Sequence, residues 1–235
     1  MEELPIMVIT GTSKGIGRGL AEYFINQGYL VVGCSRGSAT FAGEGYDHHQ
    51  LDLRDSAQVQ TWIRTIKRKY ARIDVLVCNA GVAPADLLLT MTTDEVLDAV
   101  LHDNIRGTFL LCREVSKIMM LQQSGRIVTL SSMAVGLHQE GTSAYSASKS
   151  AIVELTKILA KELAPLGVTC NVLAPSMIMS DAVEALGDVV IQRALEKLTI
   201  KRTISIEEVA NVISFFCAPA SRCITGQVIH MGLVV

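Results

Sequence analysis

Strong charge of either sign is missing. The net charge is −2, so there is no basic surface of the kind nucleic acid requires, and no run of like charges forms a tail. C-x-x-C spacings are absent as well. The cysteines at 34, 78, 112, 170, 217 and 223 stand apart, several inside apolar runs, and read as reduced, buried thiols rather than a disulfide framework or a zinc site. The adjacent pair His48-His49 has no helical metal spacing and reads as strand and surface, so no metal is expected. No apolar run reaches membrane-spanning length, so no membrane partner is expected. Met1 to Pro5 carries two acids and no basic stretch, which speaks against a secretory leader and for a cytoplasmic protein. Repeats, low-complexity tracts and linkers are also lacking. What the chain has in quantity is apolar residues, 49% of 235 against 19% charged. A sizeable buried core is therefore expected, in one large domain or two small ones.

The bare apolar run Ile6-Met7-Val8-Ile9 suits a strand buried on both faces. It feeds Thr10-Gly11-Thr12-Ser13-Lys14-Gly15-Ile16-Gly17 and then a helical pattern ending near Gly28. Strand, glycine turn and helix make a phosphate-binding arrangement: glycine lets the backbone approach a pyrophosphate, and the helix start offers free N–H groups. The spacing G-x-x-x-G-x-G differs from the commonest dinucleotide fingerprint, G-x-G-x-x-G. The second strand, Tyr29 to Cys34, is followed by Ser35 and Arg36, with no acid before Glu44. An acid there would bind a free ribose; a guanidinium suits a 2′-phosphate instead. With Lys14 in the glycine turn, this predicts NADP(H) rather than NAD(H).

Ser35 to Gly45 has little helical pattern and is expected to be a loop. Tyr46 to Leu53 reads as the third strand, with Asp52 and Leu53 near an adenine. Ser56 to Tyr70 is an amphipathic helix. Ile73 to Cys78 is a fourth strand ending in Asn79-Ala80-Gly81, small enough for a cofactor to cross. Thr92 to about Leu121 reads as one long helix, with Thr92 or Thr93 as cap and Asn104, a poor helix former, inside it. A fifth strand, Arg126 to Ser131, leads to a helix over Ser143–Leu163. Val168 to Leu173 is the sixth strand, followed by Ala174-Pro175-Ser176-Met177-Ile178-Met179-Ser180. Asp181 to Lys197 is irregularly helical around Gly187. Ser205 to Cys217 is a helix with Ser205 and Glu208 spaced as a capping box, and Thr225 to Met231 is a last strand. Strands and helices alternate, so the fold class is α/β: one doubly wound Rossmann-type domain over residues 1–235, its ligands at the carboxyl ends of the strands.

Ser132, Tyr145 and Lys149 stand out against that frame. Tyr145 and Lys149 are four apart, hence on one helix face a turn apart. A free tyrosine, with a pKa of about 10, is a poor acid–base catalyst near neutrality. A nearby cation favours the phenolate and moves it toward the working range. Ser132, just past a strand, can hold a substrate carbonyl against the phenol.

Thr10-Gly11-x-x-x-Gly15-Ile16-Gly17, Asn79-Ala80-Gly81, Asn104, Ser132, Tyr145-x-x-x-Lys149 and the Pro175 turn occur together in the order of the short-chain dehydrogenase/reductases. The chain resembles the compact, single-domain members of that family, and most of all the 3-oxoacyl-[acyl-carrier-protein] reductases and related ketoreductases. The resemblance spans essentially the whole chain. It implies a seven-stranded parallel sheet, a nicotinamide cofactor, and a homo-oligomer, tetramer or dimer, built from the two long helices and the last strand. It also implies NADPH-dependent reduction of a ketone. Tyr145 would donate the proton, Lys149 would lower its pKa and hold the nicotinamide ribose, Ser132 would polarise the carbonyl, and Asn104 would hold a relay water. The cofactor set it implies is Gly11, Thr12, Ser13, Lys14, Gly15, Ile16, Gly17, Ser35, Arg36, Asp52, Leu53, Asn79, Ala80, Gly81, Tyr145, Lys149, Pro175, Ser176, Ile178 and Ser180.

The chain departs from the family at five places, one of them the short Ser35–Gly45 crossover, which bears on the adenosine end. Cys78 replaces the usual asparagine, Ser176 the usual glycine, and Ser180 a threonine that commonly contacts the carboxamide. The end, Gly226 to Leu233, lacks Val-Asp-Gly-Gly, which bears on the subunit contact. Residues of about 180–203 are expected to form a substrate flap. Its Val183, Leu186, Val189, Val190, Ile191, Leu195 and Leu198 suit an apolar substrate or the packing of a lid. Arg193, Lys197, Lys201 and Arg202 could dock an acidic acyl carrier protein or simply face solvent. The alternative to a reductase acting on a small-molecule carbonyl is a non-catalytic NADP(H)-binding regulator on the same fold.

Overall fold

Short apolar runs bounded by glycine, proline and polar turns become the strands of one sheet. In this computed structural model residues 4–84, 86–185 and 187–235 are described. Residues 1–3 of the N-terminal segment and Leu186 of the expected flap lie outside them. β1 (Ile6–Thr10) leads into α1 (Gly15–Asn26), and β2 (Leu30–Ser35) into β3 (Tyr46–Gln50) with no helix between them. α2 (Ser56–Tyr70) precedes β4 (Val75–Cys78). The expected long helix is two helices, α3 (Asp94–Val100) and α4 (Gly107–Gln122), joined by a π-helical turn over Leu101–Arg106. β5 (Gly125–Leu130), the short α5 (Ala134–Leu137), α6 (Ser143–Leu163) and β6 (Val168–Pro175) follow. The irregular region is α7 (Asp181–Glu184) and α8 (Asp188–Leu195), parted at Gly187, whose φ of 80° ends helical continuity. α9 (Ile206–Cys217) and β7 (Val228–Met231) complete the chain.

The seven strands are all parallel, in the order β3-β2-β1-β4-β5-β6-β7. This is the doubly wound arrangement, with its topological switch between β1 and β4. Central strands read as uninterrupted hydrophobic runs because both faces are covered: β1 and β4 are buried at every position. Side chains of successive strand residues alternate between two cores. Val8, Leu76 and Ile127 pack with Trp62, Ile66, Leu111 and Val115 on one side. Met7, Ile9, Val77 and Val128 pack with Leu20, Phe24, Ile213 and Phe216 on the other. A third, smaller cluster joins Ile191, Leu195 and Leu198 to Met133, Leu137, Met177, Val183 and Leu233. It sits beside the carboxyl end of the sheet, where the residues following β5 and β6 emerge.

Local chemistry sets the helix ends. Asp55 caps α2 by accepting from the N–H groups of Ala57 and Gln58. Thr93 caps α3. Ser205 and Glu208 form a reciprocal capping box on α9. Four cysteines are fully buried (Cys34, Cys78, Cys112 and Cys170), whereas Cys217 is half-buried and Cys223 exposed. Among the described residues no helix is long and apolar enough to cross a membrane.

Candidate active site at the carboxyl edge of the sheet

The ends of β1, β4, β5 and β6 bring the expected residues together. At β1 the Thr10 hydroxyl accepts hydrogen bonds from the N–H groups of Asn79 (3.1 Å) and Ala80 (2.9 Å), and the Asn79 amide donates to the Thr10 carbonyl at 2.8 Å. These bonds staple the glycine turn to the end of β4 across the switch point. Gly11 and Gly17 are so close that a Cβ on Gly17 would lie 2.2 Å from the Gly11 carbonyl oxygen. A Cβ on Gly15, by contrast, would meet nothing within 4 Å. The turn is packed from below and open from above, with the start of α1 facing the opening, which is the form of a phosphate cradle.

The adenosine end is expected beyond β2 and β3. An open cleft of ≈ 460 Å³ is lined by Arg36, Gln50, Leu51, Asp52 and Gln58. Arg36 is well exposed and 3.6 Å from Asp103. Asp52 grips Arg54 at 2.6 Å, and this hydrogen-bonded contact holds the Asp52 carboxyl below its ordinary range. Several members of the expected cofactor set turn their side chains inward. The Thr12 hydroxyl is fully buried and accepts from Tyr46. Ser35 bonds His48 and the Gly37 carbonyl. Leu53 packs near Gly107. Ile178 joins the core beside Ile204, and the Ser176 hydroxyl lies beneath Gly232. Of these, Thr12, Ser176 and Ile178 are buried and would face a cofactor through their main chain. Lys14, Ser13 and Ile16 lie at the cradle itself, and the Ser180 carbonyl receives the first N–H groups of the flap, those of Val183 and Glu184.

The catalytic candidates converge at β5 and α6. Lys149 is buried, and its ammonium donates to the Leu130 carbonyl at 2.9 Å while its own carbonyl accepts from Ser131. Burial brings its pKa down to about 8. The ammonium lies 5.8 Å from the centre of the Tyr145 ring. Burial pushes the Tyr145 phenol up, and a hydrogen bond with Ser132 draws it part of the way back. The expected downward pull of Lys149 on the phenol is not among the influences at work: desolvation dominates both groups, in opposite senses. Asn104 sits on the wide π-helical turn. Its Oδ1 accepts from the Val82 N–H at 2.8 Å, and its amide donates to the Val82 carbonyl and to the Ser148 hydroxyl, both at 3.0 Å. Ser148 in turn donates to the Tyr145 carbonyl. Gly81 closes the circle, since a Cβ there would lie 2.8 Å from Asn104 Oδ1 and 3.5 Å from the Lys149 ammonium. Asn104, Gly81, Tyr145 and Lys149 therefore form one small, largely buried unit beside Ser132.

Three partners escaped the sequence. Ser148 is small and polar like its neighbours, and Arg54 and Asp103 lie 49 positions apart with no motif to join them. A side-chain bridge also spans the mouth, in which Lys197 donates to Gln139 and Gln139 donates to Asp86. Arg202 of the expected basic rim is instead committed to Glu208.

An open parallel sheet with a glycine cradle at its switch point, and a Ser/Tyr/Lys constellation beyond it, defines a dinucleotide-dependent oxidoreductase. The comparisons with known proteins narrow this. The family model described as "Enoyl-(Acyl carrier protein) reductase" matches residues 11–232, and the chain belongs to the short-chain dehydrogenase/reductase family. The 3-oxoacyl-[acyl-carrier-protein] reductase FabG of Staphylococcus aureus (strain Mu50) is 33% identical, covering 96% of this chain and 95% of that one. The FabG of Salmonella typhimurium (strain LT2) is 30% identical, covering 97% and 95%. A solved structure of ElxO with NADP bound aligns with a TM-score of 0.92 at 29% identity, covering 97% of each chain. A Tyr-to-Phe variant of ElxO with NADPH bound aligns at 0.91. The chain is accordingly a FabG-like ketoreductase of this family.

Proposed function

We propose that the protein reduces the ketone of an apolar acyl group, such as a 3-oxoacyl thioester, to a secondary alcohol with NADPH. The observation that carries this reading is the unit of half-buried Ser132 and Tyr145 with buried Lys149 and Asn104, set beside the glycine cradle. The cradle of Gly11, Gly15 and Gly17 would hold the pyrophosphate, and Arg36 in its cleft the 2′-phosphate. NADPH, when bound, supplies the hydride. Ser132 donates a hydrogen bond to the carbonyl oxygen, where negative charge develops. Burial keeps the Tyr145 phenol protonated at neutral pH, the state a proton donor needs. Lys149, over the ring, stabilises the phenolate left after that transfer and reaches toward the nicotinamide ribose. Asn104 fixes the loop at Val82 and the start of α6 through Ser148. Its side chain being engaged, the proton relay is assigned to its main chain at the wide turn.

The domain spans 1–235, with 180–203 as the flap. The apolar cluster under the flap, Met133, Leu137, Met177, Ile191, Leu195 and Leu198, favours an apolar acyl chain. For an acyl carrier protein, Arg193, Lys197 and Lys201 are the available cations, because Arg202 is held by Glu208. Exposed Phe109, Met120 and Leu121 on α4 and Ile158 on α6 support assembly through the long helices as a dimer or tetramer. A cytoplasmic location accords with buried thiols at Cys34, Cys78, Cys112 and Cys170.

NADPH consumption with an acetoacetyl thioester, run beside Tyr145→Phe, tests the reading. Turnover should fall by ~10²–10⁴-fold in the variant while NADPH binding holds, as expected of a lost general acid. Undiminished turnover would remove Tyr145 from the chemistry. Tight NADPH binding with no turnover on any ketone of a wide panel would favour a non-catalytic regulator.

A further inference from the structure

Asp103 and Asn104 are neighbours on the π-helical turn, yet they serve opposite ends of the cofactor cleft. Asn104 clamps the catalytic end. Asp103 faces the adenosine end, where its Oδ2 lies 3.6 Å from Arg36 Nη1 and its Oδ1 lies 3.5 Å from Arg54 Nε. Its side chain is only 14% exposed, against 62% for Arg36. Arg54 is held independently by Asp52 at hydrogen-bonding distance. Four charges thus meet here, and they cancel: Arg36 and Arg54 against Asp52 and Asp103. The loosest contact among them is the one between Arg36 and Asp103, longer than a hydrogen bond and Coulombic in nature.

We propose that Asp103 is a resident competitor for Arg36, a carboxylate that sets how strongly the protein prefers a 2′-phosphorylated dinucleotide over an unphosphorylated one. The proposal rests on the reading that Arg36 takes the 2′-phosphate. A guanidinium that turns to a phosphate must leave Asp103, and the carboxylate, still anchored by Arg54, then repels the incoming anion. Both effects oppose NADPH through its 2′-phosphate, a charge that NADH lacks. Asp103 is a specificity determinant that touches neither the nicotinamide nor the substrate. Without its charge, the cleft would present a net positive charge to the phosphate.

The test is a binding titration, independent of turnover. Dissociation constants for NADPH, NADH and 2′,5′-ADP are measured by calorimetry on the full chain, for wild type, Asp103→Asn, Arg36→Ala and the double variant. Asp103→Ser serves as a second substitution should the amide disturb folding, checked by thermal melting. Asp103→Asn should tighten NADPH and 2′,5′-ADP by roughly three- to tenfold, the scale of one exposed ion pair plus one repulsion. NADH should be unchanged, the gain should shrink as salt rises, and it should vanish in the Arg36→Ala background. Unchanged or weakened NADPH binding, an equal gain for NADH, or a gain that survives Arg36→Ala would each overturn the proposal. If Arg36→Ala alone leaves the NADPH-to-NADH ratio unaltered, the premise has failed rather than the competition, and the single variants tell the two apart.

Discussion

The two ends of the cofactor cleft handle charge in opposite ways. At the proposed catalytic end a single cation, Lys149, is buried against the Leu130 carbonyl and the Tyr145 ring, and burial brings it to a pKa of about 8. At the proposed adenosine end Arg36, Arg54, Asp52 and Asp103 stand in partial contact with solvent and balance one another. Desolvation makes one charge consequential, whereas water makes four charges individually modest. The chemical step needs a strong local perturbation. Discrimination between two cofactors that differ by a phosphate needs only a graded one, and the neighbouring residues Asp103 and Asn104 connect the two regimes on a single turn.

The contrast can be broken most decisively at Lys149. Its folded pKa lies below the ordinary lysine value, so between pH 8 and about 10.5 the unfolded chain binds more protons than the native one, and this group's contribution to stability rises with pH across that window. Lys149→Met removes a penalty of about 3 kcal/mol at neutral pH along with the bond to Leu130. Urea melts of both proteins from pH 7 to 10 should show the variant's advantage shrinking as pH rises. A constant gap would place Lys149 in water. The thiols of buried Cys34 and half-buried Cys217, pushed up to about 12 by desolvation, act in the other direction but cancel in the difference.

Asn104→Ala comes next. It orphans the Val82 N–H and unties Ser148 from the turn, at about 1–3 kcal/mol for each buried group left unpaired. Calorimetric melting should show a clearly lower Tm, and a melt like that of wild type would mean that the loop bonds are made elsewhere. The smallest effect belongs to Arg54→Ala at the exposed end, where the Tm should stay within error of wild type. A large loss there would show that the four-charge cluster is structural and would dissolve the contrast.

Much of this was legible from residue patterns, for identifiable reasons. α2 and α6 begin and end where the amphipathic pattern and flanking polar residues say, and the capping box at Ser205 and Glu208 is present. The helix-free crossover of 36–45 was announced by its glycines. The π-helical turn at Leu101–Arg106 was not, because inserting one residue into a helix leaves no compositional trace, and Asn104 alone reads as a weak helix former. The sense of the shift at Tyr145 was equally hidden. Tyr145 and Lys149 have the right spacing to interact, but spacing carries no information about how deeply a pair is buried, and depth decides which influence prevails. Side-chain direction at the strand ends was also out of reach, which is why Thr12, Ser176 and Ile178 stand at the expected positions with their side chains turned to the interior.

The strand order carries a consequence for synthesis. β1 is made before the other six strands, yet it lies in mid-sheet. One of its edges is covered as soon as β2 follows. The other waits for β4, which begins at Val75, some 65 residues after Thr10. Until that stretch has left the ribosome, the bare flank of Ile6–Ile9 is an open template for a neighbouring nascent chain, and closing the gap is slow because the pairing is non-local. The same placement that puts the glycine turn at the centre of the sheet leaves β1 with one edge uncovered until β4 is made.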